Sequence, residues 1–171
     1  FSVIFLTTLI GAGQGLFLAL FAADLFNPAL DAADFQVIGS LIALGLCGLG
    51  LVASFFHLGH PERAWRSAAM WRTSWLSREV IALPLFMLGL LAYGLAQYLG
   101  WRSIPAIGVV TVLLCLALFV CTAMVYMSIR FLQEWASPLT LANYLLFGCA
   151  SGFTLATLLA TLFESAWPLV Q

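Results

Sequence analysis

Both histidines of the chain, His57 and His60, lie in one connecting stretch, residues 55–79, together with Arg63, Arg66, Arg72 and Arg78. The rest of the sequence is nearly all hydrocarbon, so this stretch is where chemistry is expected. Three chemistries compete for the histidines. Metal binding would use two imidazoles three residues apart on one helical face, which falls short of the three or four ligands of a zinc site. Gly59 and Pro61 are also expected to end the helix between them. Haem ligation would need axial histidines on facing helices, and these two share one segment. The third is proton exchange with a quinone, whose reduction to quinol takes up two protons along with two electrons. Such a site wants a hydrogen-bonding group that titrates near neutrality beside an apolar slot, and histidine has that property. Glu79 is placed to handle the second proton, Arg78 or Arg66 to hold its charge, and Phe55, Phe56 and Trp75 to line the ring slot. From spacing alone, His57 and His60 as plain helix-end caps remain an open alternative.

The elements that must position these groups follow from composition. Of 171 residues, 64% are hydrophobic and only 8% charged, against about 25% charged in an ordinary soluble domain. Lysine is absent and the net charge is -1, so the basic footprint of a nucleic-acid binder is missing. A bilayer core of about 30 Å needs roughly 20 helical residues. Five runs meet that length, at 3–23, 36–58, 79–98, 104–129 and 139–163, giving an all-α, polytopic transmembrane bundle in a single domain over 1–171. The first run lacks a basic flank and a small-residue cleavage site, and is expected to be a permanent span rather than a signal. Since the sequence opens on Phe1, a fragment of a longer chain is expected. The breaks hold Asp24, Asp31 and Asp34 around Asn27-Pro28, then the histidine stretch, Gly100-Trp101-Arg102, and 130–138. Each is too polar or too rich in helix stops to face lipid.

Arginine placement sets direction, because basic short loops stay on the cytoplasmic side. With the second loop inside, alternation puts Arg63, Arg66, Arg72, Arg78 and Arg130 inside and Arg102 outside. A cytoplasmic amino-terminal side is therefore expected, unless those arginines serve instead to dock a partner. Trp65, Trp71, Trp75, Trp101, Trp135 and Trp167 all fall in or beside the breaks, at the headgroup level that indoles prefer. Trp65 or Trp75 stacking on a bound ring is the alternative. Gly11-x-x-x-Gly15 and Gly148-x-x-x-Gly152 each put small residues on one helix face, which permits a close neighbour. Cys47, Cys115, Cys121 and Cys149 are scattered through apolar runs without C-x-x-C spacing, and are read as small packing residues.

The motif His57-Leu58-Gly59-x-Pro61-x-Arg63-Ala64, followed by Ser77-Arg78-Glu79, resembles the membrane-anchor subunits of dimethyl sulfoxide reductase-type molybdoenzymes. The opening Phe1-Ser2-Val3-Ile4 through Gly13-Gln14-Gly15-Leu16-Phe17, with Trp71-Arg72-Thr73-Ser74-Trp75 running on to Glu79, is similar to the branch that anchors sulfite dehydrogenases. The likeness covers most of the first three spans; the last two match mainly in hydropathy. It implies a subunit with no haem, metal or other redox group of its own, bound to a molybdopterin catalytic subunit and an iron–sulfur subunit, with an exchangeable quinone nearby. The family's functional histidine falls on His57 and its quinone-site glutamate on Glu79, while His60 takes a position the motif leaves open. The family usually has eight spans, and this chain supplies five.

The resulting expectation is a bacterial inner-membrane anchor in which His57 and Glu79 exchange quinone protons. Arg66, Trp75 and Arg78 complete the quinone site, and Arg63, Arg66 and Arg72 dock the iron–sulfur subunit. The inward arginine face favours sulfite oxidation over the quinol-oxidising arrangement of dimethyl sulfoxide reductase. A transporter is the rival from another class, but the spans carry no ionisable residue near their middles, where carriers usually place one. A purely structural anchor is the third reading.

Overall fold

A computed structural model describes residues 2–26, 33–55, 69–129 and 135–166, and among these the chain is five helices with no strand. They are α1 (Ser2–Phe26), α2 (Ala33–Phe55), α3 (Trp75–Leu99), α4 (Ile104–Met127) and α5 (Leu139–Ala166). All five are long and apolar enough to cross a membrane, and the chain is a polytopic membrane protein. Side chains pointing away from the bundle are apolar: Leu49 and Val52 on α2, Leu88 and Leu95 on α3, and Val110 and Leu113 on α4 are all exposed. That is the inside-out pattern lipid permits, because the hydrocarbon is as apolar as the core.

Consecutive helices run antiparallel, and α1 is the hub, packing most extensively on α2 and α5 while α3 pairs with α4 and α2. The core between them is aromatic and branched. Phe17 of α1 meets Phe86 and Tyr93 of α3 edge-on at 5.9 and 5.4 Å, and Ile10, Leu16, Leu20, Leu90 and Leu118 close around them. Edge-to-face contacts of this kind add to simple area burial.

The α1–α5 contact is where the two glycine motifs meet. A Cβ at Gly15 would overlap the Gly148 carbonyl, and one at Gly152 would overlap the backbone of Gly15 and Leu16. The helices therefore touch backbone to backbone, the arrangement that small-x-x-x-small spacing allows. At mid-membrane α1 is also stitched to α4: the Gln14 amide donates to the Cys115 carbonyl at 3.0 Å, and the Cys115 thiol points to the Gln14 carbonyl at 3.7 Å. Cys47, Cys115 and Cys121 are buried.

Most helix ends lie one to four residues from the sequence expectation, α2 starting at Ala33 and α5 running to Ala166, and two of the shifts have a visible cause. α3 begins at Trp75 rather than 79, because Ser74 caps it, its Oγ accepting from the Ser77 N–H and satisfying one of the orphan donors of a helix start. α1 continues to Phe26 and carries Asp24 with it. The carboxylate is tolerated there because the Tyr93 hydroxyl donates to Asp24 Oδ2 at 3.1 Å, and Gln97 Nε2 donates to Tyr93 at 3.0 Å. α3 stops on Gly100 at φ 62°, where the Gly100 and Trp101 N–H groups return to the Gln97 and Ala96 carbonyls. Glycine enters that left-handed conformation without the steric cost other residues meet.

Candidate functional site

The start of α3 organises the site. A short turn precedes it, in which the Met70 carbonyl accepts from the N–H groups of Thr73 and Ser74, both at 3.0 Å. Trp75 and Arg78, three residues apart, then share one side of the first turn. A cation in the first turn opposes the helix dipole, and Arg78 relieves this by folding back. Its Nε donates to the Trp71 carbonyl at 3.0 Å and its Nη2 to the Arg72 carbonyl at 3.1 Å. The guanidinium also lies 4.2 Å from the centre of the Trp75 ring. Arg78 thus fastens the entry turn to the helix it opens. Arg72 is exposed and sits 5.4 Å from the Trp71 ring, leaving its charge at the surface.

Glu79 points the other way, into the bundle. It is 8% exposed, and among the described residues it is the only buried charged group. The Thr122 hydroxyl, itself 2% exposed on α4, donates to Glu79 Oε1 at 2.8 Å. Hydroxyls in apolar helices usually bond back to their own backbone, and Thr111 on the same helix does so, donating to the Ile107 carbonyl. Thr122 instead reaches across to α3. Tyr144 of α5 stands against the same side of α4, its ring edge-on to Phe119 at 5.4 Å, one turn before Thr122, and its hydroxyl donates to the Thr7 carbonyl of α1 at 3.3 Å. Tyr126, one turn beyond Thr122 on α4, packs edge-on against Trp135 at 5.3 Å. Glu79 thus sits at the end of the bundle where α1, α3 and α5 begin, with α4 supplying its partner.

Of the residues singled out from sequence, Trp75 and Arg78 come together, with Arg72 on the adjoining turn, while Glu79 faces into the bundle toward Thr122. His57, His60, Arg63, Arg66, Phe56 and Trp65 lie outside the described residues, as does the side chain of Phe55. Thr122, Tyr144 and Tyr126 were not anticipated. Nothing in sequence distinguishes Thr122 from the other span threonines, since its role depends on how α4 is rotated against α3. Among the described residues no group of histidine, cysteine and carboxylate side chains is arranged to hold a metal ion.

Among the described residues, the hydrogen-bond partner of Glu79 is a neutral donor at 2.8 Å.

Residues 1–168 match the family model described as DMSO reductase anchor subunit (DmsC), so the match extends through α4 and α5. A sulfite dehydrogenase subunit of Allochromatium vinosum is 56% identical over 174 residues, covering 91% of this chain and 53% of that protein. The chain spans about half the length of this curated relative. No solved structure matches it. By the family match and this identity, the chain belongs to the DMSO reductase anchor subunit family.

Proposed function

We propose that this chain is the quinone-reactive membrane anchor of a sulfite-oxidising molybdoenzyme in a bacterial inner membrane. Sulfite oxidation to sulfate yields two electrons, which iron–sulfur clusters of a partner subunit deliver to a quinone bound at the start of α3. The quinone accepts those electrons and two protons and leaves as quinol. In this reading the molybdopterin and the clusters belong to partner subunits. Glu79 and His57 supply the protons, Arg66, Trp75 and Arg78 border the ring, and Arg63, Arg66 and Arg72 form the docking face on the cytoplasmic side.

The observation that carries the reading is Glu79: a buried carboxyl at one end of the bundle, held by a neutral hydroxyl, just after the segment that bears both histidines. Burying a charged group is costly, and the partner Glu79 has among the described residues is a neutral hydroxyl, which favours a proton-handling role over a packing one. The sulfite specificity rests on likeness to the Allochromatium protein.

The test uses the intact membrane complex. His57→Ala and Glu79→Gln are each expected to lower sulfite-dependent quinone reduction by about 100-fold or more, the usual contribution of a positioned acid–base group. Sulfite oxidation with a soluble artificial acceptor should stay intact. Normal quinone turnover in both variants would remove this site from the mechanism.

A further inference from the structure

We propose that Thr122 and Tyr144 are positioning residues for Glu79, forming a hydroxyl relay that gives its carboxyl a hydrogen-bond partner in both its protonated and its deprotonated state. The proposal rests on the reading of Glu79 as a proton-exchanging group.

A carboxylate only accepts, whereas a carboxylic acid must also donate. A buried acid fixed by a donor that cannot turn would lose a partner each time it changed state, and an unsatisfied buried polar group costs about 1–3 kcal/mol. Among the described residues Thr122 is the hydroxyl that reaches Glu79, and a threonine hydroxyl can both donate and accept. In the arrangement observed, Thr122 donates to Glu79 Oε1 at 2.8 Å, which suits the carboxylate. With Glu79 protonated, the acid O–H turns to the Thr122 oxygen, and the Thr122 proton swings away to the oxygen of Tyr144. That oxygen has room for it, because the Tyr144 proton is already committed to the Thr7 carbonyl at 3.3 Å. One rotation about the Thr122 side chain therefore serves both states, with no helix movement and no change in net charge besides that of Glu79.

The surroundings fit this role. Thr122 sends its hydroxyl across the helix interface although its neighbours Thr111 and Ser128 bond within their own helix. The Tyr144 ring is held edge-on by Phe119 at 5.4 Å, so its hydroxyl stays in register. Arg78, the cation next in sequence, is engaged by the Trp71 and Arg72 carbonyls, so among the described residues the partner of Glu79 is the Thr122 hydroxyl.

The experiment is made on the purified complex in lipid vesicles, with a short-chain quinone analogue as acceptor and infrared spectroscopy of the carboxyl C=O stretch, assigned by its loss in Glu79→Gln. Thr122→Val keeps the shape and removes the hydroxyl. It is expected to slow quinone reduction about tenfold and to move the Glu79 band to higher wavenumber, as a carboxyl does on losing a hydrogen bond. Thr122→Ser should restore both, and Tyr144→Phe should slow turnover about threefold, since it removes only the second acceptor. If the valine variant does not assemble, Thr122→Cys, a similar volume with a weaker donor, takes its place with the same two readings. Wild-type turnover and an unmoved band in the Thr122 variants would overturn the relay. Unchanged turnover in Glu79→Gln would instead overturn the function assigned to Glu79, and the band shift would then decide on the Thr122 contact alone.

Discussion

Two carboxylates, at opposite ends of the bundle, are each met by a hydroxyl from another helix, yet the two sites are built differently. Asp24 takes the Tyr93 proton, and Tyr93 in turn takes one from Gln97, so the tyrosine is fully used and its rigid ring fixes the geometry. Such a set joins α1 to α3 as a brace. Glu79 is met by a short side chain that turns freely about one bond, and beyond it lie Tyr144 and the Thr7 carbonyl. The first network is closed and the second leads onward. Burial sharpens the contrast, since Asp24 is partly accessible whereas Glu79 is buried. The half-buried carboxylate sits in a fixed brace, whereas the buried one has, among the described residues, a partner free to turn.

The contrast can be broken most directly by making the same amide change at both ends. Glu79→Gln should cost quinone-linked turnover about 100-fold or more, while Asp24→Asn should change it less than about twofold, and equal losses would erase the distinction. Next in size is the shared scaffold. Gly15→Leu forces α1 and α5 apart and is expected to cost about 3 kcal/mol or more, above the usual range for overpacking because the obstacle is backbone. Unfolding in mixed micelles would measure it. Tyr93→Phe removes the brace and should lower stability by about 1 kcal/mol with turnover retained, the reverse of the outcome for Thr122→Val. Smallest is Arg78→Lys, which keeps the charge but loses the planar fork and much of the ring contact. A loss of about 0.5–1 kcal/mol in thermal unfolding is expected.

The five spans are legible in the sequence because apolar runs of bilayer length admit hardly any other structure. Their ends are less so. Arg78 and Asp24 look like residues that must lie outside a helix, and both are inside one because distant atoms satisfy them: loop carbonyls for Arg78 and Tyr93 for Asp24. The glycine motifs announce close packing, but spacing alone does not say that the first and fifth helices are the pair. The same holds for the site. Glu79 stands out by its charge in an apolar chain, while Thr122 becomes visible only once α3 and α4 are placed side by side.

The backbone contact between Gly15 and Gly148 also has a consequence for biosynthesis. The helix that leaves the ribosome first among these five has its tightest partner in the one that leaves last. Until α5 enters the bilayer, the groove on α1 must be filled by lipid or by an insertion factor, and insertion of the fifth helix is the step that locks the bundle shut.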